Sequence, residues 1–453
     1  MDTFVYKDHK KLRCGYTTGT CAALAAQGAV RFLLTGSWKE TEEIMTPKGI
    51  PVCVLLEEKT SGDGWAECAV RKDAGDDYDV TNGILVYARV ESLKEKAKPG
   101  LDPRSQKQQK KANAAQQNVE LPETLVKIDG GIGIGRVTKP GLDQPVGAAA
   151  INSVPRKMIR DTVYALLEEA GELLPVSIII SIPAGVEAAK KTFNPVLGIE
   201  GGISVLGTSG IVEPMSEEAL VETIRTHLNV LKAEERKWVI AVPGNMGAGF
   251  LERYLVEHGK YGTDVHQGSN VSDTGAAAGA EQVVSGESST GTESSLLEAF
   301  MNSLVTMSNF VGKTIDIAAE LGFSGILIAG HMGKLVKIGN GIMNTHSREA
   351  DGRMDTMLSC ALSTGTEDLE LLRMIQGSNT TDEAMDHLKQ AGILDDTIRV
   401  FLKRAAWHLA HRSRDEVKMG MIVFGTKGEY LGETEDAEII LENAWKEIAE
   451  RNE

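Results

Sequence analysis

The sequence predicts a mixed α/β protein with two domains. The first is an α+β domain with antiparallel strands, and the second is a doubly wound, mostly parallel α/β domain with a helical carboxyl-terminal part. Short strand-like runs separated by turn residues dominate the first part of the chain, whereas strand-like and helix-like segments alternate in the second. Glycine is abundant, at 48 of 453 residues, as a fold with many turns requires. We place the boundary close to Pro175, so that the domains span 1–174 and 175–453.

The first domain begins with a buried helix and continues as an antiparallel meander. Residues 21–34 are alanine-rich and apolar on nearly all sides, which predicts a helix enclosed by protein. A further helix is expected over 155–173, where apolar residues recur at helical spacing. Between these helices, strand-like runs bounded by SGDG and DAGDD turns occupy 52–57, 65–71 and 84–90.

The second domain alternates between strands and helices, the pattern of a parallel sheet covered on both faces. The strand candidates are 176–182, 238–242, 304–307 and 326–329. Helices are predicted among them at 217–231, 248–257 and 312–321. The carboxyl-terminal part is predicted to contain a strand pair near 419–424 and helices at 382–390, 397–412 and 437–449.

Two segments interrupt these patterns. Residues 94–118 are rich in lysine and glutamine and have almost no bulky apolar side chains, which predicts a disordered insertion. Residues 264–295 are rich in serine, threonine, glycine and alanine, which predicts a flexible loop.

Composition and charge exclude several classes of protein. The formal net charge of −16 disfavours binding to nucleic acids and to anionic membranes. No run of about 18 apolar residues occurs, and the amino-terminal segment lacks the apolar core of a signal peptide. Five cysteines without a Cys-x-x-Cys pair are typical of a reducing compartment and indicate no zinc site. We therefore expect a cytoplasmic protein without a membrane partner and without a metal of its own.

The stretch from Phe310 to Arg353 indicates a site for an anionic small molecule. A buried strand-like run, GILIA, is followed by Gly-His-Met-Gly-Lys, at the sheet edge where open α/β folds bind their ligands. His331 lies in this turn and His346 in a second polar cluster, and each is either a ligand contact or a satisfied core residue. Lys334 and Lys337 are three residues apart and are expected to share a helix face, exposed either to a ligand or to solvent alone.

Three regions rich in glycine are candidates for binding a nucleoside. Residues 15–20 precede the buried helix, so they either bind an anion at its amino terminus or merely cap it through Thr18 or Thr20. Residues 130–135 are followed by Lys-Pro-Gly, which prevents the helix that a dinucleotide-binding fingerprint requires. Residues 198–210 contain Glu200, whose carboxylate can accept hydrogen bonds from ribose hydroxyls. Tight turn geometry remains the alternative for the second and third regions.

Five blocks of sequence together resemble the cobalt-precorrin-5B C1-methyltransferases, the CbiD family of anaerobic cobalamin biosynthesis. They stand in the family's order and cover most of the chain, although the two insertions depart from its compact pattern. The blocks are CGYTTGTCAALAA at 14–26, IDGGIGIGRVTKPGLDQPVG at 128–147, NPVLGIEGGISVLGTSGIVEPMS at 194–216, AVPGNMG at 241–247, and GHMGKLVKI with NTHSREADGR at 330–353.

The resemblance implies that the chain transfers a methyl group from S-adenosylmethionine to C1 of cobalt-precorrin-5B. The products would be cobalt-precorrin-6A and S-adenosylhomocysteine, and the cobalt belongs to the substrate. A non-catalytic tetrapyrrole carrier and a transferase of another anionic small molecule are the alternatives, and the oligomeric state is left open. Together with the motifs, the resemblance points to the following residues: His331 and His346 as catalytic bases; Gly198, Glu200, Gly201, Gly202, Gly207 and Thr208 for the methyl donor; and Thr17, Thr18, Lys334, Lys337, Arg348 and Arg353 for the corrinoid.

Overall fold

The computed structural model describes residues 3–7, 9–93, 125–171, 173–257 and 290–452. The chain divides into two compact units, Met1–Ser216 and Glu217–Glu453. The predicted insertion at 94–118 lies outside the described residues, and so does the predicted loop from 264 to 289. The end of that predicted loop, from residue 290, belongs to a helix instead. The mixed α/β class is confirmed, with sheets of mixed strand orientation.

The first unit combines a long buried helix with many short strands. Its helices are α1 (Thr18–Thr35), α2 (Ser153–Glu169) and α3 (Gly185–Ala189). Its strands are β1 (Phe4–Lys7), β2 (Lys10–Arg13), β3 (Gly15–Tyr16), β4 (Thr41–Met45), β5 (Pro51–Leu55), β6 (Glu57–Gly62), β7 (Trp65–Arg71), β8 (Leu85–Ser92), β9 (Val126–Gly130), β10 (Gly133–Ile134), β11 (Arg136–Val137), β12 (Val176–Ser181), β13 (Ile199–Glu200), β14 (Gly202–Ile203) and β15 (Ile211–Val212).

The main sheet of the first unit has the strand order β6-β7-β8-β12-β9. Its neighbouring strands are antiparallel, except that β12 and β9 are parallel. Val86, Ala88 and Val90 alternate with more exposed residues along β8, because every second side chain points to the same face of a sheet. Helix α1 packs against β7 and β8 and is buried along most of its length, as its alanine-rich sequence predicts.

Strand β12 belongs to this first sheet and not to the parallel sheet, where the sequence pattern places it. It pairs antiparallel with β8, from Val176 opposite Ser92 to Ser181 opposite Tyr87. The compact units accordingly divide after Ser216 rather than at Pro175. The pattern misleads here because a strand with neighbours on both sides is strongly apolar whichever way those neighbours run.

The second unit places helices on both faces of a single sheet. Its helices are α4 (Glu217–Ala233), α5 (Asn245–Glu257), α6 (Thr290–Asn302), α7 (Val311–Glu320), α8 (Met332–Leu335), α9 (Arg353–Leu362), α10 (Leu369–Gly377), α11 (Thr381–Gln390), α12 (Leu394–Ser413) and α13 (Ala437–Asn452), with a 3₁₀ helix at Val336–Asn340. Its strands are β16 (Trp238–Val242), β17 (Val305–Thr306), β18 (Gly325–His331), β19 (Lys418–Phe424) and β20 (Tyr430–Glu433).

The second sheet has the order β17-β16-β18-β19-β20, and its strand pairs are parallel except for β19 with β20. Strand β18 is buried on both sides. Ile326 and Ile328 pack into one core with residues of α7 and α12. Leu327 and Ala329 pack into another core with residues of α5 and α13. Among the described residues, no helix is both long enough and apolar enough to cross a membrane.

The strand order reverses beside β18. The chain passes from β16 to β17 on one side and then returns to β18 on the other side of β16. In open α/β sheets, ligands bind in the crevice at such a reversal, outside the carboxyl ends of the strands. Here the two carboxyl ends lead into Pro243-Gly244 after β16 and into Met332 after β18. The topology therefore favours the edge of the sheet that the sequence motif also indicates.

Candidate functional site

His331 ends β18 and caps the short helix α8. Its Nδ1 accepts a hydrogen bond of 3.0 Å from the backbone N–H of Gly333. Its Nε2 lies 2.8 Å from Oγ1 of Thr426, which follows the neighbouring strand β19. That hydroxyl donates to Oδ2 of Asp382 in the first turn of α11, at 2.5 Å. Both ring nitrogens therefore have protein partners.

Thr426 and Asp382 are site residues that sequence reasoning misses. They lie 95 and 51 positions from His331, and neither belongs to a conspicuous motif. One signal for Thr426 exists in the sequence, since it follows a predicted strand. The carboxyl ends of adjacent parallel strands meet at one edge of a sheet, so such residues are brought together.

Lys334 and Lys337 do not share a face, contrary to expectation. Lys334 is exposed, and the described residues provide no hydrogen bond or ion pair to its ammonium. Neighbouring protein atoms nevertheless desolvate that ammonium and lower its pKa. Lys337 is only 3% exposed, and its Nζ donates to the carbonyl oxygens of Thr345 at 3.1 Å and Ala350 at 2.8 Å. The difference arises because the chain after residue 344 folds over Lys337 and not over Lys334.

Burial also lowers the pKa of the Lys337 ammonium, mainly through desolvation. Its two hydrogen bonds tie the 3₁₀ helix to the loop that carries His346 and Arg348. The structure therefore gives Lys337 the role of holding this loop, which leaves it poorly placed to meet a corrinoid carboxylate.

The loop that carries His346 is exposed and ordered by local hydrogen bonds. The backbone N–H of His346 donates to Oδ1 of Asn344, and Nδ1 of His346 accepts from the backbone N–H of Arg348, both at 3.1 Å. Arg348 forms an ion pair of 2.7 Å with Glu217. Nε2 of His346 is therefore the ring nitrogen left to contact a ligand.

Arg353 is paired within the protein as well. Its guanidinium donates to both carboxylate oxygens of Asp351, at 2.5 and 3.0 Å. This pairing raises the pKa of Arg353 and lowers that of Asp351. The predicted basic cluster is thus mostly neutralised by the protein's own carboxylates and carbonyls. Within the described ranges, Lys334 is the exception.

In the first unit, the three glycine-rich turns lie next to one another. The backbone N–H of Thr17 donates to the carbonyl of Gly210 at 3.1 Å, which joins the first turn to the third. Strands β10 and β14 pair with Gly133 opposite Gly202, which joins the second turn to the third. The three turns therefore form one turn cluster (residues 15–20, 130–136 and 198–210).

Thr17 and Thr18 are buried in this turn cluster, at 6% and 3% exposure. Thr17 is the N-cap of α1, and its Oγ1 accepts from the N–H of Thr20 at 3.3 Å. Thr18 Oγ1 donates to the carbonyl of Leu206 and accepts from its N–H, each at 3.3 Å. The capping alternative is therefore realised, although by Thr17 rather than by Thr18 or Thr20. These hydroxyls are not left for a corrinoid carboxylate.

Packing accounts for several glycines of the turn cluster. A Cβ on Gly207 would lie 2.5 Å from the side chain of Thr17, and one on Gly202 would lie 2.2 Å from the carbonyl oxygen of Gly133. On Gly198 it would lie 2.4 Å from Cγ of Lys139. The alternative of tight turn geometry explains these three glycines without a ligand.

Glu200, Gly201 and Thr208 are different, because they are exposed. A Cβ on Gly201 would meet nothing within 4 Å. The Glu200 carboxylate accepts only a long hydrogen bond of 3.5 Å from Oγ1 of Thr138 among the residues that the structure describes. This carboxylate, beside an open stretch of backbone, is the part of the turn cluster that a ligand can reach. A group of three or more His, Cys, Asp or Glu side chains suited to a metal ion is not found in the described part of the chain.

The histidine and the exposed lysine lie outside the carboxyl ends of parallel strands, where open α/β folds bind small molecules. The chain belongs to the CbiD family. The family model described as CbiD matches residues 5–214, and the model described as the CbiD C-terminal domain matches residues 344–435. The resemblance found in the sequence is thereby confirmed.

Similar proteins extend over nearly the whole chain. A cobalt-precorrin-5B C(1)-methyltransferase of Ruminiclostridium cellulolyticum is 37% identical over 424 residues, which cover 94% of this chain and 92% of the relative. One of Thermoanaerobacter sp. is 39% identical, with 87% of each chain covered. A crystal structure of cobalamin biosynthesis protein (cbiD) from Archaeoglobus fulgidus is 22% identical and covers 77% of this chain and 87% of that chain. Its TM-score of 0.34 is too low to support a structural argument.

Proposed function

We propose that this chain is a cobalt-precorrin-5B C1-methyltransferase that uses S-adenosylmethionine and forms cobalt-precorrin-6A. The observation that carries the proposal is similarity over 94% of the chain to a relative of that name, at 37% identity. One of the two matched family models lies in each compact unit, so both units match the family.

S-adenosylmethionine supplies a methyl group whose bond to sulfur breaks as the bond to the ring carbon forms, so that the electron pair leaves on a neutral thioether. The nucleophile is the electron-rich carbon of the substrate, and this chain need not supply one. Its contribution is to align the reactants, an effect that can lower a barrier by about 7–11 kcal/mol in favourable cases. The relevant side chains are therefore those that hold the two ligands.

The fit of the turn cluster to a methyl donor rests on Glu200. Its carboxylate is exposed and only weakly engaged by Thr138, so it can accept hydrogen bonds from two ribose hydroxyls. The adjacent open backbone at Gly201 allows close approach of a ligand, and the exposed Thr208 offers a further hydroxyl. Gly198, Gly202 and Gly207 support this surface by allowing its turns to pack closely.

The corrinoid carries acetate and propionate side chains, and Lys334, on the short helix that follows β18, is our candidate cation for binding one of them. Its ammonium is exposed and lacks a protein partner within the described ranges. Arg348 and Arg353 already pair with Glu217 and Asp351, so a corrinoid carboxylate would have to share or displace a partner, which reduces the net gain.

A proton released from the ring on methylation needs an acceptor, and His331 and His346 are our candidates. Each uses Nδ1 to accept a backbone N–H. For His346, Nε2 is the nitrogen left to a substrate, whereas for His331 both nitrogens are engaged. Because Nδ1 of His346 accepts from the backbone N–H of Arg348, the hydrogen of the neutral ring lies on Nε2, so His346 can take up a proton only at Nδ1, once that hydrogen bond is released.

The proposal is tested by incubating the purified protein with cobalt-precorrin-5B and S-adenosylmethionine. We expect a corrinoid product heavier by one methylene, with one S-adenosylhomocysteine formed per product. Calorimetry with S-adenosylhomocysteine separates the alternatives. A tetrapyrrole carrier would bind the corrinoid without binding this nucleoside, and a transferase of another anionic small molecule would leave the corrinoid unmethylated.

We also place the protein in the cytoplasm. The five cysteines are free, and Cys53 alone is exposed. Burial raises the pKa of Cys21 and of Cys68 to about 12, which keeps these thiols unreactive. A chain with this set of thiols suits a reducing compartment.

A further inference from the structure

A chain of hydrogen bonds connects three elements of the second unit at the carboxyl edge of its sheet. It runs from His331 at the end of β18, through Thr426 after β19, to Asp382 on α11. The ring of His331 also lies edge-on to Phe424, with 5.9 Å between ring centroids. The side chain is thus held on several sides, in the crevice that the strand order favours for a ligand.

The hydrogen positions in this chain follow from counting donors. A threonine hydroxyl has one hydrogen, and a carboxylate can only accept, so Thr426 donates to Asp382. Its oxygen must then accept the hydrogen bond from Nε2 of His331. At the other side of the ring, the backbone N–H of Gly333 can only donate, so Nδ1 is the acceptor. Two independent constraints define the same tautomer, with the hydrogen on Nε2.

We infer that Thr426 and Asp382 are positioning residues for the methyl transfer, an inference whose catalytic part rests on the proposed function. They act through His331, whose tautomer and ring plane they define. The lone pair on Nδ1 then caps α8, which carries Lys334 in its short span. Loss of the hydroxyl leaves the Gly333 N–H as the one remaining hydrogen bond that the described residues make to the ring, so the tautomer, the ring orientation and the position of Lys334 become less well defined.

The same arrangement specifies where His331 can accept a proton. The only nitrogen with a lone pair is Nδ1, so a proton from the corrinoid would arrive there as the bond to Gly333 N–H is released. Nε2–H donates to Thr426 in both protonation states. The Asp382 carboxylate accepts the hydrogen bond from the Thr426 hydroxyl and, through it, stabilises the positive charge of the protonated ring.

The test uses Thr426→Val, Thr426→Ser and Asp382→Asn in the full-length protein. Valine removes the hydroxyl at nearly constant volume, serine keeps it, and asparagine keeps an acceptor for it but removes the charge. Controls are Thr223→Val, at an exposed threonine that bonds only locally within α4, and Asp436→Asn, at the other end of β19, where Asp436 pairs with Lys418. His331→Gln assigns the His331 signals among the nine histidines in ¹⁵N NMR spectra of protein labelled at histidine.

We expect wild type, Thr426→Ser and both controls to show protonated Nε2 and unprotonated Nδ1 at His331. Thr426→Val should give a mixture of tautomers and a kcat lower by about 10- to 100-fold, the loss that a hydrogen bond to a charged network typically causes. Asp382→Asn should keep the tautomer yet lower kcat by a smaller factor. S-adenosylhomocysteine affinity should be unchanged throughout.

A wild-type tautomer and wild-type kcat in Thr426→Val would overturn the inference. A changed tautomer with unchanged kcat and corrinoid KM would overturn its catalytic part. A wild-type protein that shows the Nε2–H tautomer but methylates no corrinoid would refute the proposed function and with it the role in methyl transfer, whereas the hydrogen-bonded chain would stand.

Discussion

The turn cluster of the first unit and the strand-end edge of the second contain the same kinds of residue, but they use them differently. In the turn cluster, the hydroxyls of Thr17 and Thr18 form hydrogen bonds with backbone groups of the same unit. Most glycines there are required because a side chain would clash with neighbouring atoms. At the strand end, Lys334 remains exposed and the hydroxyl of Thr426 links side chains at the surface. A dense motif of glycine and threonine therefore indicates a close approach of backbones, and only exposure shows whether a ligand is the reason.

The largest effect should come from breaking the packing of the turn cluster. A Cβ on Gly133 would lie 1.8 Å from the carbonyl oxygen of Ile182, and its φ of 77° disfavours other residues. Gly133→Ala should therefore lower the free energy of unfolding of the first unit by about 3–5 kcal/mol. Gly201→Ala is the matched control, since it has a similar φ of 81° and open space around it. It should cost only about 1–2 kcal/mol in urea unfolding. Equal losses in the two variants would mean that packing is not what requires Gly133.

Next in size is the contrast between exposed and paired cations at the strand end. Lys334→Ala should raise the KM for the corrinoid by about 10- to 100-fold, because charged hydrogen bonds contribute about 1.5–3 kcal/mol each. Arg348→Ala should raise it by only a few fold, since Arg348 already pairs with Glu217. Lys446→Ala on α13 is the control for loss of an exposed lysine. Steady-state kinetics that rank Arg348 above Lys334, or that show no effect of either, would remove the carboxylate site from this edge.

A smaller effect should reveal which part of the turn cluster meets the donor. Glu200→Ala should weaken S-adenosylhomocysteine binding by about 10-fold, the loss of one good hydrogen bond to a carboxylate. Thr138→Val removes the partner of Glu200 and should leave affinity nearly unchanged. Isothermal calorimetry distinguishes these cases. Should Glu200→Ala bind normally but fail to turn over, the residue would be catalytic and the ribose site would lie elsewhere in the cluster.

The smallest effect concerns the paired arginine at the strand-end loop. The hydrogen bond from Arg353 lowers the pKa of Asp351 in the folded protein. The ion pair therefore contributes its full stabilisation above the pKa of Asp351 in the unfolded chain, about 4, and this stabilisation is lost as the pH falls through the lower pKa of the folded protein. Both groups are partly exposed, so the contribution is at most about 1 kcal/mol. Arg353→Met should reduce stability at pH 7 by that amount, and the difference from wild type should shrink as the pH falls through the folded pKa of Asp351. A difference that does not shrink at acid pH would come from packing of the arginine and not from its charge.

Much of the local structure follows from short-range patterns. The helical periodicity before Gly322, the apolar run at β18 and the alanine-rich stretch at α1 each appear where predicted. Helix α10 was not predicted, although Asp368 caps it with two hydrogen bonds and thereby marks its start. Such features depend on residues within a few positions of one another, so the sequence contains the information.

By itself, the sequence determined the α/β class, most helices and strands, and membership of the CbiD family. Tertiary structure alone decided that β12 joins the first sheet, that Lys337 is buried while Lys334 is exposed, and that Thr17 faces inward. It also brought Asp382 and Thr426 to His331 from distant parts of the chain. The physical reason is that periodicity and capping are local, whereas burial, pairing and hydrogen-bond partners depend on which segments pack against one another.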